Sequence, residues 1–463
     1  MKRDTRLFTA LSFLLLGACG SDVGNTNTAD QASASAPGAT STDVASAEAE
    51  EVEAPAAQAN VEAPVPAAAA GAAPSDAAPQ ANTSALHNGD TWSGMRMGTN
   101  FWFLNDWAEQ AWAPNVNFAT TDNPWNPAFI KDLEEANYAV YRFMDFGGTN
   151  NSKIKDWSQR TQQNSPDNKL GGDVGGKGIA YEWMFDLCNR MQKDCWITVP
   201  HMAIESYEKN PADNYFTQLA KLAHEQLDPG LDLYIEYSNE TWNYGFEQAM
   251  YCKTRGEAMK LDADPYSNQW KFHVYASSRL NDAFVKEYGD EVGRVHWVLP
   301  GQLSQAFGTQ KSVEALKDPK INLGGRMPKY YAISNYVGSD GKIDGSSPTA
   351  EADFRAGLQQ TLKWADEALA QIQGTGMKLV AYEGGQHLLK NADVLSRNPA
   401  IYQLYMEWAD AVSKKYALTV HYCNSGTYAA DGAWGSKEKT GAPIESSPKA
   451  RALRDWIKAH PTE

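Results

Sequence analysis

Leu233-Tyr-Ile-Glu-Tyr-Ser-Asn-Glu-Thr-Trp242 is an apolar, aromatic-rich run that stops abruptly at Asn239-Glu240. Its length and residue types predict a short strand buried on both faces, with the polar pair delivered at its C-terminal end. Lys378-Leu-Val-Ala-Tyr-Glu-Gly-Gly385 follows the same plan and ends in Glu383. Working outward, six more short runs read as strands: Gly98–Phe103, Tyr138–Phe143, Cys195–Val199, Val295–Leu299, Tyr331–Ser334 and Leu418–Tyr422. Between them lie stretches with apolar residues at helical spacing: Asn126–Ala136, Glu182–Met191, Tyr215–Glu225, Gln269–Tyr288, Gln310–Lys320, Ala350–Gln373 and Asn398–Tyr416, with Ser447–His460 after the last strand. Strands alternating with helices in this number predict an α/β chain folded as a parallel (β/α)₈ TIM barrel. The structural alternative is an open doubly wound sheet, whose mark is a Gly-rich phosphate loop after the first strand. Here that strand runs into Leu104-Asn-Asp-Trp107, which favours the barrel.

The 463 residues do not all belong to that fold. Met1-Lys-Arg-Asp-Thr-Arg6 is basic, Leu7 to Leu16 is apolar, and Gly17-Ala18-Cys19-Gly20 is small, which is the order of an export signal. The apolar part is too short to span a bilayer. Leu16-Gly-Ala-Cys19 also resembles the lipobox of bacterial lipoproteins. That resemblance implies a signal peptide over 1–18, lipidation of Cys19 and anchoring to the cell envelope. With Gly20 in place of Asp, it implies the outer membrane. Residues 19–85 are almost all Ala, Pro, Glu, Ser, Thr, Gly and Asn and contain no Trp, Phe or Tyr. Such a segment cannot bury enough apolar surface to offset its chain entropy, so a disordered tether is expected. Residues 86–463 hold nearly all of the 15 Trp, 21 Tyr and 15 Phe and form the barrel domain.

A formal net charge of −16 argues against a nucleic-acid partner, because neutralising phosphates takes clustered Lys and Arg. Beyond Cys19, the four cysteines Cys188, Cys195, Cys252 and Cys423 lack metal-ligand spacing. No metal or other cofactor is expected. Cys188 and Cys195 flank one helix-to-strand connection, so a disulfide between them and a pair of buried free thiols are both open.

The active site of such a barrel sits at the C-terminal ends of the strands. Those ends offer Arg142 and Asp145 on the second strand, His201 after the third, and Asn239 with Glu240 on the fourth. Tyr336 follows the sixth strand, Glu383 ends the seventh, and Asn424 with Trp434 follows the eighth. Two glutamates at facing strand ends are what glycoside hydrolysis with retention requires, one as acid/base and one as nucleophile. Together these motifs resemble the clan of retaining (β/α)₈ glycoside hydrolases that includes cellulases and mannanases. In that clan an Asn-Glu pair ends the fourth strand and a second Glu ends the seventh. The resemblance implies Glu240 as acid/base, Glu383 as nucleophile, a carbohydrate substrate, and supporting roles for Arg142, His201 and Tyr336. Tyr382-Glu-Gly-Gly385 departs from the Glu-Phe/Trp-Gly wording of the best-known members.

On physical grounds Glu240 must hold a proton and Glu383 must stay ionised, with Arg142 and the Tyr336 hydroxyl as its donors. Asn239 offers an amide to a sugar hydroxyl, while Trp242 and Trp434 offer ring faces to a sugar. Glu236 reads as a buried partner of Arg142, and the loop from Asp145 to Gly178 as a cleft wall. Two other readings remain open at this stage. One is a non-catalytic glycan-binding surface lipoprotein on a degenerate barrel. The other is a barrel lyase or metal-dependent hydrolase.

Overall fold

The computed structural model describes residues 94–101, 109–168 and 177–462. The signal peptide and tether expected over 1–85, including Cys19, lie outside the described residues, as do Trp102 and Trp107.

Eight parallel strands close into a barrel in the order β1 (Arg96–Phe101), β2 (Val140–Phe143), β3 (Asp194–Val199), β4 (Leu233–Tyr237), β5 (Val295–Pro300), β6 (Tyr330–Ala332), β8 (Lys378–Ala381) and β10 (Leu418–His421). β10 pairs back onto β1 through Gly98↔Val420 and Thr99↔His421. Two short strands, β7 (Asn335–Val337) and β9 (Gly384–Gln386), pair in parallel above β6 and β8 and raise the rim there. The helices in chain order are α1 (Pro127–Ala136), α2 (Tyr181–Met191), α3 (Ile204–Lys209), α4 (Tyr215–Gln226), α5 (Glu247–Met259), α6 (Pro265–Tyr288), α7 (Ala306–Lys317), α8 (Ala350–Ile372), α9 (Ala392–Arg397), α10 (Ala400–Val412) and α11 (Pro448–Ala459).

Local chemistry sets several boundaries. Asn126 caps α1 by accepting from the Ala128 amide at 3.0 Å, and Pro127 fits the first turn, where no N–H is needed. Asp264 and Pro265 do the same for α6, which therefore starts earlier than its apolar spacing shows. Alternation along the strands divides the core in two. Val140, Trp196, Tyr234, Val298, Tyr330, Val380 and Val420 fill the barrel interior. A much larger cluster, including Phe101, Tyr141, Phe143, Ile197, Leu233 and Leu299, packs outward against the helices. Cys188, Cys195, Cys252 and Cys423 are buried and in thiol form, so the Cys188–Cys195 bridge is not formed.

Candidate active site

Arg142 lies wholly buried on β2 and organises the upper barrel. Its Nε and Nη2 each donate to Glu236 on β4 at 2.9 Å. Nη2 also reaches Asn239 Oδ1 at 3.1 Å, and Nη1 reaches Glu383 Oε1 at 3.1 Å and Asn100 Oδ1 at 3.2 Å. The guanidinium sits between the rings of Trp196 and Tyr382, 5.4 and 5.2 Å from their centroids. Every one of its donors is used, so the side chain is locked. The indole N–H of Trp196 completes the hydrogen bonding of Glu236 at 2.7 Å.

Glu383 stands two residues past the end of β8. Its Oε2 accepts from the Tyr336 hydroxyl at 2.9 Å, and Tyr336 is carried by β7. Gly384 and Gly385 explain the unusual wording after this glutamate. A Cβ at position 384 would lie 1.7 Å from Asn335 Oδ1, and Gly385 has φ of +112°, a conformation side chains rarely adopt.

Glu240 is half-buried past β4, where the backbone is strained. Ser238 and Glu240 have φ of 62° and 40°, unusual for residues with side chains. The bend is pinned by Ser238 N to Val199 O at 2.8 Å, Gln248 Nε2 to Asn239 O at 2.8 Å, and Asn243 N to Glu240 O at 2.9 Å. The Glu240 carboxyl accepts from Asn243 Nδ2 at 2.9 Å and from the Tyr382 hydroxyl at 3.2 Å.

Burial raises Glu240 above the ordinary carboxylate range, against hydrogen bonds from Asn243 and Tyr382 and the charge of Arg142, with Glu236 adding to the rise. Burial also pushes Glu383 up to about 7; Arg142 opposes this, the charge of Glu240 adds to it, and Tyr336 opposes it. Glu383 thus rises where the sequence argument asked only that it stay ionised, because burial outweighs its donors. Two carboxyls that sense each other titrate as a pair and hold a single proton over a wide range. The donors are uneven. Glu383 faces a guanidinium and a phenol, whereas Glu240 faces a neutral amide and a phenol, so the anion is favoured at Glu383 and the proton at Glu240.

A cavity of about 530 Å³ opens at this mouth, lined by Glu240, Trp242, Asn243, Tyr244, Gln302, Leu303, Ser334, Tyr336, Asp340, Tyr382, His387 and Lys390 among others. Its volume suits a small-molecule or sugar site. Trp242 forms part of the wall and stacks on Trp270, with ring centroids 5.5 Å apart and planes at 12°. His387 lines the cavity with its ring edge-on to Tyr336 and to Trp434, and burial lowers it to about 4. Trp434 is therefore one ring removed from the opening. His201 is buried against Tyr251 behind the wall, and burial lowers it to about 4. Asn239 gives its Oδ1 to Arg142 and donates Nδ2 to Asn150 Oδ1 at 3.1 Å. The loop after β2 thus props Asn239 from behind, and its described part is absent from the cavity lining. Asp145 accepts from the Asn150 amide at 2.8 Å, and Asn424 turns away to Glu109 at 3.1 Å.

Sequence reasoning missed the two groups that hold Glu240. In sequence Tyr382 is one more aromatic residue at the end of an apolar run. Asn243 had a signal, an Asn three residues on in a tight turn. Among the described residues no group of three or more His, Cys, Asp or Glu is arranged to hold a metal ion, and no helix is long and apolar enough to cross a membrane.

The opposite mouth carries a second cavity, of about 440 Å³, lined by Arg96, Lys193, Asp194, Trp456 and His460 among others. There Arg96 pairs with Asp194 and donates to the Tyr234 hydroxyl at 3.1 Å. His296 Nε2 lies 2.8 Å from Asp232 Oδ2. Burial would raise Asp232, but the hydrogen bond and charge of His296, with Lys329 and Arg96, hold it below its ordinary value.

No protein-family model matches the chain, and no curated protein matches its sequence. Solved structures with remote likeness include a broad-specificity GH5-4 endoglucanase from Clostridium longisporum, at 12% identity and TM-score 0.45, covering 82% of this chain and 98% of that one. A modular endo-beta-1,4-mannanase from Cellulomonas fimi matches at 11% identity and TM-score 0.41, over 79% of this chain and 71% of that one. A GH51 arabinofuranosidase from Xanthomonas axonopodis pv. citri matches at 11% and 0.43, over 70% of this chain and 65% of that one. The chain thus spans less than two thirds of the arabinofuranosidase. These likenesses are too remote to bear on the reaction, and the fold stands on the closed strand order itself.

Proposed function

We propose that the chain is a glycoside hydrolase that cleaves O-glycosidic bonds of a poly- or oligosaccharide with retention of configuration. The observation that carries this reading is one pair of carboxyls, the half-buried Glu240 and the buried Glu383, delivered from β4 and β8 to one mouth with unequal donors around them. In the first step Glu383 attacks the anomeric carbon while the Glu240 proton passes to the leaving oxygen and the glycosidic bond breaks. The product is an ester between the sugar and Glu383. In the second step Glu240 takes a proton from water, the water oxygen attacks the anomeric carbon, and Glu383 leaves as carboxylate.

The other residues divide by distance from the sugar. Trp242 walls the cavity. Arg142 and Tyr336 orient Glu383. Asn239, supported by Arg142 and Asn150, offers its remaining amide hydrogen to a hydroxyl next to the reacting carbon. His201 and Trp434 support the wall from behind.

Glu240→Gln and Glu383→Gln are tested on a panel of neutral glycans, with the first-formed anomer read by NMR. Loss of turnover in both variants and retained configuration in the wild type are expected. Turnover near the wild-type rate in either variant, or an inverted product, removes the assignment. Export and lipid anchoring through Cys19 to the outer membrane are proposed alongside, from the lipobox-like Leu16-Gly-Ala-Cys19. Detergent phase partition of the wild type against Cys19→Ser checks them, and a wild type found wholly in the aqueous phase would refute them.

A further inference from the structure

Among the described residues, several large hydrophobic side chains are left in solvent, and the aromatic ones share a neighbourhood. The three aromatic ones among the described residues are Tyr244 at 48% exposure, Tyr266 at 66% and Phe307 at 41%. All three belong to elements that meet at Trp270. Tyr244 follows Trp242 by two residues, and Trp242 stacks on Trp270. Tyr266 lies four residues before Trp270 on α6, which puts both on one helix face. Phe307 precedes Gly308 at the start of α7, and a Cβ at Gly308 would lie 2.4 Å from the Trp270 ring.

The Tyr244 ring is held in place. The Tyr244 hydroxyl donates to Gln269 Oε1 at 2.7 Å, and Gln269 Nε2 donates in turn to the Thr241 carbonyl. Burial is the main cause that disfavours ionisation of Tyr244, and Tyr266 is near enough to add to it. Tyr244 lines the same cavity as Glu240 and Trp242. Tyr244 thus continues the cavity wall outward from Trp242, beside the carboxyl that protonates the leaving oxygen, and Trp270 links it to Tyr266 and Phe307.

Aromatic rings exposed beside a cavity are costly to leave wet and suit the apolar C–H faces of successive sugar rings. We infer that Tyr244, Tyr266 and Phe307 form a binding track for the leaving-group end of a glycan chain, so that the preferred substrate carries several sugars beyond the bond that is cut. This inference rests on the glycosidase reading and sharpens its substrate class.

The test compares Tyr266→Ala and Phe307→Ala with wild type on two kinds of substrate. One is a 4-nitrophenyl glycoside, whose single-ring leaving group is too short to reach these residues. The other is a polymer panel of glucomannan, galactomannan, arabinoxylan and mixed-linkage glucan. On whichever polymer the wild type hydrolyses, each variant is expected to lose about 3- to 10-fold in kcat/KM, and their double variant more. On the aryl glycoside both should stay within about twofold of wild type. Equal losses on both substrates, or none on the polymer, overturn the track. If the wild type hydrolyses nothing, the glycosidase reading fails separately. Affinity electrophoresis in gels containing the same polymers then decides the track: retardation of wild type that is lost in Tyr266→Ala supports it, and wild type running freely in every gel overturns it.

Discussion

The two mouths of the barrel differ in how they balance charge. At the lower mouth Asp194 has Arg96, and Asp232 has His296 with Lys329 nearby. At the upper mouth three glutamates, Glu236, Glu240 and Glu383, gather around one buried guanidinium, Arg142. The lower arrangement holds a carboxylate in its ionised form. The upper one leaves a surplus carboxyl with nowhere to put its charge, so a proton stays. Surplus like this is characteristic of sites that move protons, whereas balance is characteristic of parts that hold a structure together.

The sharpest way to break the comparison is to remove the surplus. Glu383→Gln and Glu240→Gln should each lower kcat on the hydrolysed glycan by on the order of 10³-fold, by steady-state assay. Asp232→Asn at the lower mouth should leave kcat within about twofold, since it meets no substrate. A loss at Asp232 comparable with that at Glu383 would erase the distinction.

Next in size is the price of removing each cation. Arg142→Met strands Glu236 and Glu383 in a buried site and should cost about 3–5 kcal/mol in denaturant unfolding. Arg96→Met, in a part-exposed pair, should cost about 1 kcal/mol. Equal costs would mean that burial does not separate the two ends.

The pH profile comes third. Activity needs the pair to carry one proton, so kcat/KM should be bell-shaped, falling in acid as Glu383 is protonated and in alkali as Glu240 loses its proton. Tyr336→Phe removes a donor to the Glu383 anion. The acid limb should therefore move upward by about 1 unit. A downward or absent shift would mean that the phenol does not favour the anion.

The smallest effects are in stability. Glu240 is raised in the folded chain, so it favours folding below its unfolded value and that contribution is lost as pH rises through the folded one. Glu240→Gln should then melt a few degrees above wild type at pH 8 and level with it at pH 4. Asp232 is lowered, so its contribution is present above the unfolded value and lost as pH falls through the folded one. Asp232→Asn should melt below wild type at pH 8, with the gap closing in acid. Parallel melting curves for the two variants would contradict the opposite signs.

Most of the barrel strands were legible because they are rich in the residues of a strand buried on both faces; β1 and β10, with Thr99, Asn100, Thr419 and His421, are more polar. Glu240 and Glu383 were legible because an apolar run ends on each of them so sharply. α5 left no trace, since the residues it buries, Gln248, Ala249, Cys252 and Gly256, are small or polar and make no apolar stripe. β7 and β9 are three residues each, too short for any periodicity. The role of Tyr382 was hidden for another reason: in sequence its ring counts towards the core, and only the barrel's curvature brings its hydroxyl to Glu240.

Where Asn335 meets Gly384, the two positions have become one decision. The Asn335 amide donates to Thr419 at 3.0 Å and fills the space that a side chain after Glu383 would need. A bulky residue can enter at 384 only after 335 has shrunk, and shrinking 335 first abandons the Thr419 contact. Neither step is neutral alone, so descendants of this chain should keep the small residue there or exchange both at once.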